Sequence, residues 1–203
     1  MNKQFALPFE LSATHIDTID NRLVEFTKLN KKGNNEWFSE LCFCLLTANA
    51  QAQRAINIQA HLGVEGFLEK SEENIAQIIK SFGHRFHNNK AKYIVLARKY
   101  KNIKDHLKDL TSIQAREFIV NNIKGLGYKE ASHFLRNVGY EDFAIIDRHI
   151  IKFLYKNSLI TEIPKSISKK LYFELENILK NYNIKLNRLD LMIWCHITGK
   201  ILK

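Results

Sequence analysis

A lysine and an aspartate, eighteen residues apart, have the residue types that covalent catalysis requires. Lys129 follows a Gly-x-Gly turn at the expected start of a helix, where the positive end of the helix dipole disfavours an ammonium and favours the nucleophilic amine. Asp147 follows the apolar run 143–146 at the expected start of another helix. An amine that attacks carbon divides a difficult displacement into easier steps, and a nearby carboxylate stabilises developing positive charge. Such an aspartate commonly caps a helix, and both roles are compatible.

The lysine belongs to a segment that reads IKGLGYKEAS over residues 123–132. An amphipathic helix is expected to end at the Gly-x-Gly turn, and a second helix to begin at once. Glycine permits positive φ and close approach of another backbone, so Gly125 and Gly127 can admit a phosphodiester. Free N–H groups at the start of the second helix would hold that phosphate without reading a base. Taken alone, the same spacing is also typical of a simple turn.

These residues lie in a chain that is expected to be helical throughout. Eight glycines and two prolines leave few breaks, and apolar residues recur at spacings of three and four. Strand signals are weak everywhere. We therefore predict an all-α fold with helices over 12–28, 36–48, 51–61, 72–81, 87–101, 111–122, 129–138, 148–156, 165–181 and 187–199.

Two polar interruptions, 30–35 and 139–142, are candidate boundaries within the chain. If both are hinges, residues 34–141 form a central helical lobe, and residues 1–33 and 142–203 come together as a second lobe. A cleft between two lobes is a common place for a binding site. Both interruptions can also be ordinary surface loops.

Positive charge exceeds negative charge, with 31 Lys and Arg against 21 Asp and Glu and a formal net charge of +10. Eight of the basic residues lie between Lys80 and Lys104, where no acidic residue occurs. A one-signed stretch of this length favours contact with phosphates over a plain solvated face. Nucleic acid is therefore the first candidate partner, and an anionic membrane surface the second.

Several classes of protein are excluded by pattern. Apolar stretches reach only about six residues, whereas a membrane span needs about 20. The N-terminus does not have the pattern of a secretory signal, so we expect a cytoplasmic protein. Three cysteines with no CxxC pair argue against disulfides and against a zinc or iron–sulfur site, and Cys42 and Cys44 are expected to be buried thiols.

The last predicted helix has an apolar face and a polar margin. Asp190 and Trp194, four residues apart, stand together at that margin, where a helix can contribute both to a core and to a cleft. Trp194 can stack on a planar group while Asp190 accepts hydrogen bonds from its N–H edge. A core position for Trp194 is an equal alternative. The apolar face consists of Leu186, Leu189, Ile193 and Ile197.

The hairpin and the aspartate together resemble the motif of the helix-hairpin-helix base-excision DNA glycosylases, over about 123–150. The resemblance implies that the amine of Lys129 attacks C1′ of a flipped nucleotide while Asp147 assists, and that a Schiff base precedes β-elimination. It also implies that Asn49, in the run LLTANA, fills the gap left by the flipped base. The matching residues are Ile123, Gly125, Gly127, Lys129, Ala131, Asp147 and His149.

Within this superfamily the chain is similar to the compact second class of 8-oxoguanine DNA glycosylase/AP lyases. Endonuclease III relatives hold an iron–sulfur cluster through four C-terminal cysteines, and only Cys195 lies in that region here. The resemblance implies that Lys203 lies beside the flipped base and helps to tell 8-oxoguanine from guanine. Asp190 would accept a hydrogen bond from the base, because 8-oxoguanine carries N7–H where guanine has an acceptor.

The same resemblance implies further contacts with double-stranded DNA containing 8-oxoguanine. An aromatic residue of the middle lobe closes a sandwich on the base against Trp194, and we choose Phe86, after Arg85, over Phe82. Arg85 and His149 are expected to contact DNA. No metal site and no other cofactor are expected, apart from a monovalent cation on the hairpin carbonyls, and the protein is expected to act as a monomer.

Two alternatives remain open from the sequence. One is a glycosylase/lyase for oxidised pyrimidines that lacks the iron–sulfur cluster. The other is a helix-hairpin-helix module that binds phosphates without catalysis.

Overall fold

The computed structural model describes residues 5–48 and 50–203. All the regular elements in this part of the chain are helices, which confirms the all-α prediction. A 3-10 turn, Arg98–Tyr100, follows the fifth α-helix. The α-helices are α1 Ala13–Asn30, α2 Asn34–Thr47, α3 Ala52–Glu69, α4 Glu72–Ser81, α5 His87–Ala97, α6 Ile103–Leu107, α7 Ser112–Asn122, α8 Tyr128–Asn137, α9 Arg148–Lys156, α10 Lys169–Lys180 and α11 Leu186–Thr198.

Hydroxyl side chains start four of these helices. In each case the hydroxyl oxygen of the N-cap residue accepts a backbone N–H from the first turn, which otherwise has no partner within the helix. Such a cap stabilises a helix by about 1 kcal/mol. The local sequence therefore determines where these helices begin. The capping residues are Ser12, Ser71, Thr111 and Ser168.

Three predicted helices differ in extent from the observed ones. The helix predicted to end at residue 61 continues to Glu69 across a kink at Gly63, where φ is +62°. The helix predicted to reach residue 101 ends at Ala97, and the one predicted from 165 begins only after its cap at Ser168. The sequence pattern missed α6, because five residues are too few to show a helical period.

The buried apolar side chains form three clusters. The first lies within residues 37–143 and the second within 144–193, so the chain passes from one core to the other after Phe143. The third cluster joins α1 to α11 through Ile19, Phe26, Leu191 and Cys195. Helices from the two ends of the chain therefore pack against each other.

This packing agrees with the predicted division into a central lobe, 34–141, and a lobe built from both ends. The boundary of the first core lies two residues beyond the predicted one, because Phe143 packs with the central helices. The division into lobes and the cleft between them remain predictions that this arrangement of cores supports.

Two buried arginine–carboxylate pairs connect the helices of the first core with those of the second. Arg116 of α7 binds Glu176 of α10 through two hydrogen bonds of 2.7 and 3.0 Å. Arg136 of α8 pairs with Asp190 of α11. Removing one partner of a buried pair destabilises a protein by about 3–5 kcal/mol. These pairs therefore fix α7 and α8 against α10 and α11.

Helix α2 is buried along most of its length. Cys42 and Cys44 lie on it as free, fully buried thiols, as predicted, and burial raises the pKa of both well above its ordinary value. Among the helices that the structure describes, none combines the length and the apolar character that crossing a membrane requires.

Candidate active site

The turn between α7 and α8 uses its two glycines differently. At Gly125, φ is +97° and a Cβ would lie 2.4 Å from the ring of Tyr93, so glycine is required there. Gly127 has φ −95°, and a Cβ would meet only the Glu130 carboxylate at 3.6 Å. The expectation of positive φ is therefore correct for Gly125 and wrong for Gly127. Gly127 is the N-cap of α8 and leaves the start of that helix without a side-chain cap.

Lys129 lies in the first turn of α8, as predicted from the sequence. Its side chain is 36% exposed, and Nζ lies 3.4 Å from Oε1 of Glu130. A long, partly exposed ion pair of this kind is weak. The amine is therefore held loosely and can leave Glu130 at little cost.

Asp147 is the N-cap of α9. Its Oδ1 accepts the N–H groups of His149 and Ile150 at 2.8 and 3.0 Å, which fixes the orientation of the carboxylate. Its Oδ2 makes no hydrogen bond with the described residues. Helix capping therefore uses one oxygen and leaves the other for chemistry.

The Tyr172 hydroxyl links the helix of Lys129 to the segment of Asp147. This buried hydroxyl is hydrogen-bonded to Ser132 Oγ at 3.0 Å. Ser132 lies on α8, one helical turn after Lys129. It also lies 3.1 Å from the Ala144 carbonyl, and the Ile146 N–H points to it at 3.4 Å. Lys129 and Asp147 consequently belong to two backbone segments that are fixed to one point.

Asp190 makes contacts within the protein, and its predicted contact with a base stays a prediction. It is buried, its Oδ2 pairs with Arg136, and its Oδ1 accepts the Ile145 N–H at 3.0 Å. Burial raises its pKa to about 6, although the Arg136 charge lowers it. Each oxygen already has a partner within the protein, and burial limits the access of a further donor to this carboxylate. Asp190 holds the segment that leads to Asp147.

Trp194 lies half-buried beside His149, with ring centroids 4.6 Å apart in an edge arrangement. Its indole N–H is buried and has no partner among the described residues. A buried donor without a partner is rare in native proteins, and bound ligands are one explanation. Trp194 is therefore neither a fully buried core residue nor a surface residue.

Phe86, which the sequence analysis chose over Phe82 as the ring that stacks on the base, is the more exposed of the two. Phe86 is 42% exposed, with the Arg85 guanidinium 5.4 Å from its ring centroid. Phe82 packs against the first core and against His61. Buried His84 supports Phe86, since its Nδ1 accepts the Phe86 N–H at 3.2 Å and its Nε2 bonds the Leu46 carbonyl at 3.0 Å.

Lys203 is held against α2 and α3. Its Nζ donates to Glu40 Oε2 at 2.7 Å and to Gln59 Oε1 at 2.6 Å, and lies 4.3 Å from the ring centroid of Phe43. We call Lys203, Glu40, Gln59 and Phe43 the Lys203 cluster. It gives the lysine a single, well-defined position.

His133 lies next to this cluster, one turn after Lys129 on α8. It is buried, its ring centroid is 5.6 Å from that of Phe43, and its Nε2 has no partner among the described residues. Burial, together with the charges of Arg136 and Lys129, lowers the pKa of His133 well below its usual value, so the ring is neutral.

Sequence reasoning missed Glu40, Gln59 and His133. Glu40 carried a signal, because it is a lone acid within the apolar stretch of α2, where a charge is expected only with a partner. His133 follows Lys129 by four residues and so lies on the same helix face. Gln59 carried no signal.

The basic stretch between Lys80 and Lys104 is not one exposed face. Lys90 is buried, which lowers its pKa to about 8. Arg98 donates to the Phe67 and Lys70 carbonyls, and Lys104 donates to the Asn30 and Lys32 carbonyls. Only the remaining five basic side chains are exposed to solvent. These are Lys80, Arg85, Lys92, Lys99 and Lys101.

The predicted contacts with DNA and with the base have no direct structural test, and neither has the expected monomer. Asn49 lies outside the described residues. The monovalent cation at the hairpin and the absence of a metal site also remain predictions.

The architecture around this site is that of the helix-hairpin-helix DNA glycosylases. A structure of a trapped endonuclease III–DNA covalent intermediate has the same fold, with a TM-score of 0.59 at 15% identity over 96% of this chain and 91% of that one. Residues 19–188 match the family model described as 8-oxoguanine DNA glycosylase. The chain belongs to this family, which confirms the resemblance seen in the hairpin motif.

Relatives and solved structures agree with this assignment. The 8-oxoguanine DNA glycosylase/AP lyase of Methanocaldococcus jannaschii is 55% identical over 92% of both chains, and that of Aquifex aeolicus is 42% identical over 91% and 92%. The crystal structure of the M. jannaschii enzyme with a 15mer DNA containing 8-oxoguanine has a TM-score of 0.89 and 53% identity over 93% of each chain. The Thermotoga maritima enzyme has a TM-score of 0.86 at 38% identity, over 94% and 93%.

Proposed function

We propose that this protein is a bifunctional DNA glycosylase/AP lyase that removes 8-oxoguanine from double-stranded DNA. One observation carries the proposal: Lys129 and Asp147 stand on two segments that share the buried Tyr172 hydroxyl. Family membership supports it, because the relatives that match most of the chain are named for this activity.

In the proposed mechanism, Lys129 loses a proton, and its amine attacks C1′ of the flipped nucleotide as the N-glycosidic bond breaks. The bonding electrons leave with the base, which takes up a proton. The Asp147 carboxylate stabilises the positive charge that develops on the sugar. Opening of the sugar ring gives a Schiff base between Nζ and C1′. Loss of a C2′ proton then breaks the C3′–O bond by β-elimination, and water releases Lys129.

Base recognition is proposed for Trp194, Phe86 and Lys203. The ring of Trp194 and the exposed ring of Phe86 would enclose the flipped base, and Lys203 would meet its edge. The half-buried position of Trp194 leaves part of its ring accessible to a ligand. Flipping is required because C1′ and the base are screened inside the duplex.

Binding of the duplex is proposed for the hairpin and the exposed basic side chains. The start of α8, which has no side-chain cap, can hold a phosphate through N–H groups. Arg85 and His149 would contact the strand near the flipped nucleotide, and Asn49 would fill the gap. Since its substrate is the cell's DNA, we place the protein in the cytoplasm, on the nucleoid.

Reductive trapping tests the function directly. The protein is incubated with sodium borohydride and three matched duplexes, which contain one 8-oxoguanine, one thymine glycol or no lesion. We expect a covalent protein–DNA complex and strand cleavage with the 8-oxoguanine duplex only.

Each of the other outcomes would indicate a different function. Preference for thymine glycol would replace the substrate by an oxidised pyrimidine. Binding without any trapped complex would leave a module that only holds phosphates.

A further inference from the structure

We infer that Glu40 is a specificity-positioning residue, which holds the Lys203 ammonium where it meets the flipped base. The inference rests on the proposed function and adds a residue to it. Glu40 is buried, and its Oε2 lies 2.7 Å from Lys203 Nζ. The ion pair joins two residues that are 163 positions apart in the sequence. Glu40 does not touch the base in this proposal and acts through the lysine.

The neighbours of Glu40 leave its carboxylate no second orientation. Its Oε1 accepts Asn137 Nδ2 at 2.6 Å, so Oε2 must face Lys203. Asn137 Oδ1 in turn accepts two N–H groups of Arg136, at 2.9 and 3.2 Å. Because each acceptor already has a fixed donor, the carboxylate cannot rotate without breaking several buried bonds.

Gln59 fixes the lysine from the other side. Its Nε2 donates to the Ser39 carbonyl at 3.1 Å and to Glu40 Oε2 at 3.3 Å. The amide oxygen must therefore point away from these acceptors, and it accepts Lys203 Nζ at 2.6 Å. A flipped amide would place two donors against the ammonium, so the network allows one orientation.

The ammonium keeps hydrogen-bonding capacity for a ligand. A lysine has three N–H donors, and Glu40 and Gln59 use two of them. The third can bind an acceptor such as O8, which 8-oxoguanine has and guanine lacks. The two hydrogen bonds to Glu40 and Gln59 determine the direction of the third N–H. Loss of Glu40 therefore keeps the lysine but no longer fixes the direction of that N–H.

The same network reaches the catalytic segment. Arg136, which binds Asn137, also pairs with Asp190, and Asp190 accepts the Ile145 N–H two residues before Asp147. Buried hydrogen bonds thus connect the recognition lysine with the backbone of the catalytic aspartate. Glu40 is the acidic residue at the recognition end of this network.

The test compares excision of 8-oxoguanine with excision of guanine by wild-type protein and by Glu40→Gln. The measured quantity is the ratio of single-turnover rates on matched duplexes. A hydrogen bond to a charged group corresponds to roughly a tenfold effect or more, so we expect the ratio to fall by at least about tenfold. Lys203→Met should lower the ratio at least as far.

A double variant separates positioning from a general structural effect. If Glu40 acts through Lys203, adding Glu40→Gln to Lys203→Met leaves the ratio of Lys203→Met unchanged. A ratio that falls again by the same factor overturns the inference. The double variant leaves neither the carboxylate nor the ammonium buried without its partner. The inference can therefore be tested even if Glu40→Gln fails to fold.

Two further variants complete the test. Glu176→Gln makes the same chemical change in an equally buried carboxylate that pairs with Arg116, and it should lower the melting temperature and leave the ratio unchanged. Gln59→Met keeps both charges paired and should lower the ratio by a smaller factor. If wild-type protein is active and Glu40→Gln has an unaltered ratio, the role of Glu40 is refuted and the proposed function is not. A wild-type protein that excises no 8-oxoguanine would instead refute the proposed function.

Discussion

The two lysines of the site are held in opposite ways. Lys203 has two acceptors within 2.7 Å and a ring beneath it, and its side chain is 21% exposed. Among the described residues Lys129 has a single acceptor, at 3.4 Å, and its side chain is 36% exposed. A group that distinguishes two similar bases must keep one position, because freedom of movement lets it adapt to both. A nucleophile must leave its resting contact before it can form a bond.

Under the proposed roles, the rigidly held lysine is the one that would distinguish the base, and the loosely held lysine is the one that would form the bond. The surrounding polar groups follow the same rule. Glu40 is fixed by Asn137 and Gln59, whereas Asp147 keeps one oxygen without a partner among the described residues.

Replacement of the loosely held lysine should have the largest effect. Lys129→Gln removes the amine, so no Schiff base can form, and we expect no borohydride-trapped complex and a loss of strand cleavage on the order of a thousandfold or more. Affinity for the 8-oxoguanine duplex should stay within about fivefold, because one partly exposed charge contributes little. A trapped complex formed by this variant would remove Lys129 from the mechanism.

Neutralising the aspartate should have the next largest effect. Asp147→Asn removes the charge that stabilises the sugar, and excision should slow by about 10² to 10⁴ in single-turnover kinetics. Asparagine caps a helix as well as aspartate does, so the melting temperature should stay close to that of wild type.

Asp147→Ala provides the matched comparison. It should lose both the charge and the cap, with a free energy of unfolding lower by about 1 kcal/mol. Excision by Asp147→Asn at the wild-type rate would show that capping is the whole role of this residue.

The smallest expected effect is the pH dependence of stability that comes from His133, which is buried next to the Lys203 cluster. The pKa of His133 is lowered well below its ordinary value of 6.5, so the unfolded chain binds a proton near pH 6 that the folded protein does not. The stability from this group is thus complete above about pH 6.5 and is lost as the pH falls, by up to about 1.4 kcal/mol per unit.

Urea unfolding of wild type and of His133→Gln, at pH 7.5 and 5.5, isolates this contribution. The pKa of His84 is also lowered, chiefly by burial, and this effect is common to both proteins. The variant should lose less stability than wild type between the two pH values. Equal losses would mean that His133 protonates freely and that water reaches the Lys203 cluster.

The positions of Lys129 and Asp147 in the fold could be predicted from the sequence because their signals are local. Lys129 follows its glycines within four residues, and Asp147 both ends an apolar run and caps the next helix. Backbone conformation alone places these residues at helix starts. The choice of Phe86 over Phe82 also agreed with the exposure of the two rings.

The partners of the recognition end could not be predicted, because they are distant in sequence. Glu40 meets Asn137 across 97 positions, and Arg136 meets Asp190 across 54. A single sequence does not show which buried acid pairs with which basic residue, so it does not reveal the pairing of Asp190 with Arg136. For the same reason the basic stretch was read as one face, although Arg98 and Lys104 bind backbone carbonyls of the protein.

The distance between Glu40 and Lys203 along the chain has a consequence for synthesis. The first core is complete within residues 37–143, so this part can collapse while later residues are still in the ribosome. Contacts that close long loops form late. In a nascent chain, the hairpin can therefore fold before Glu40 pairs with Lys203.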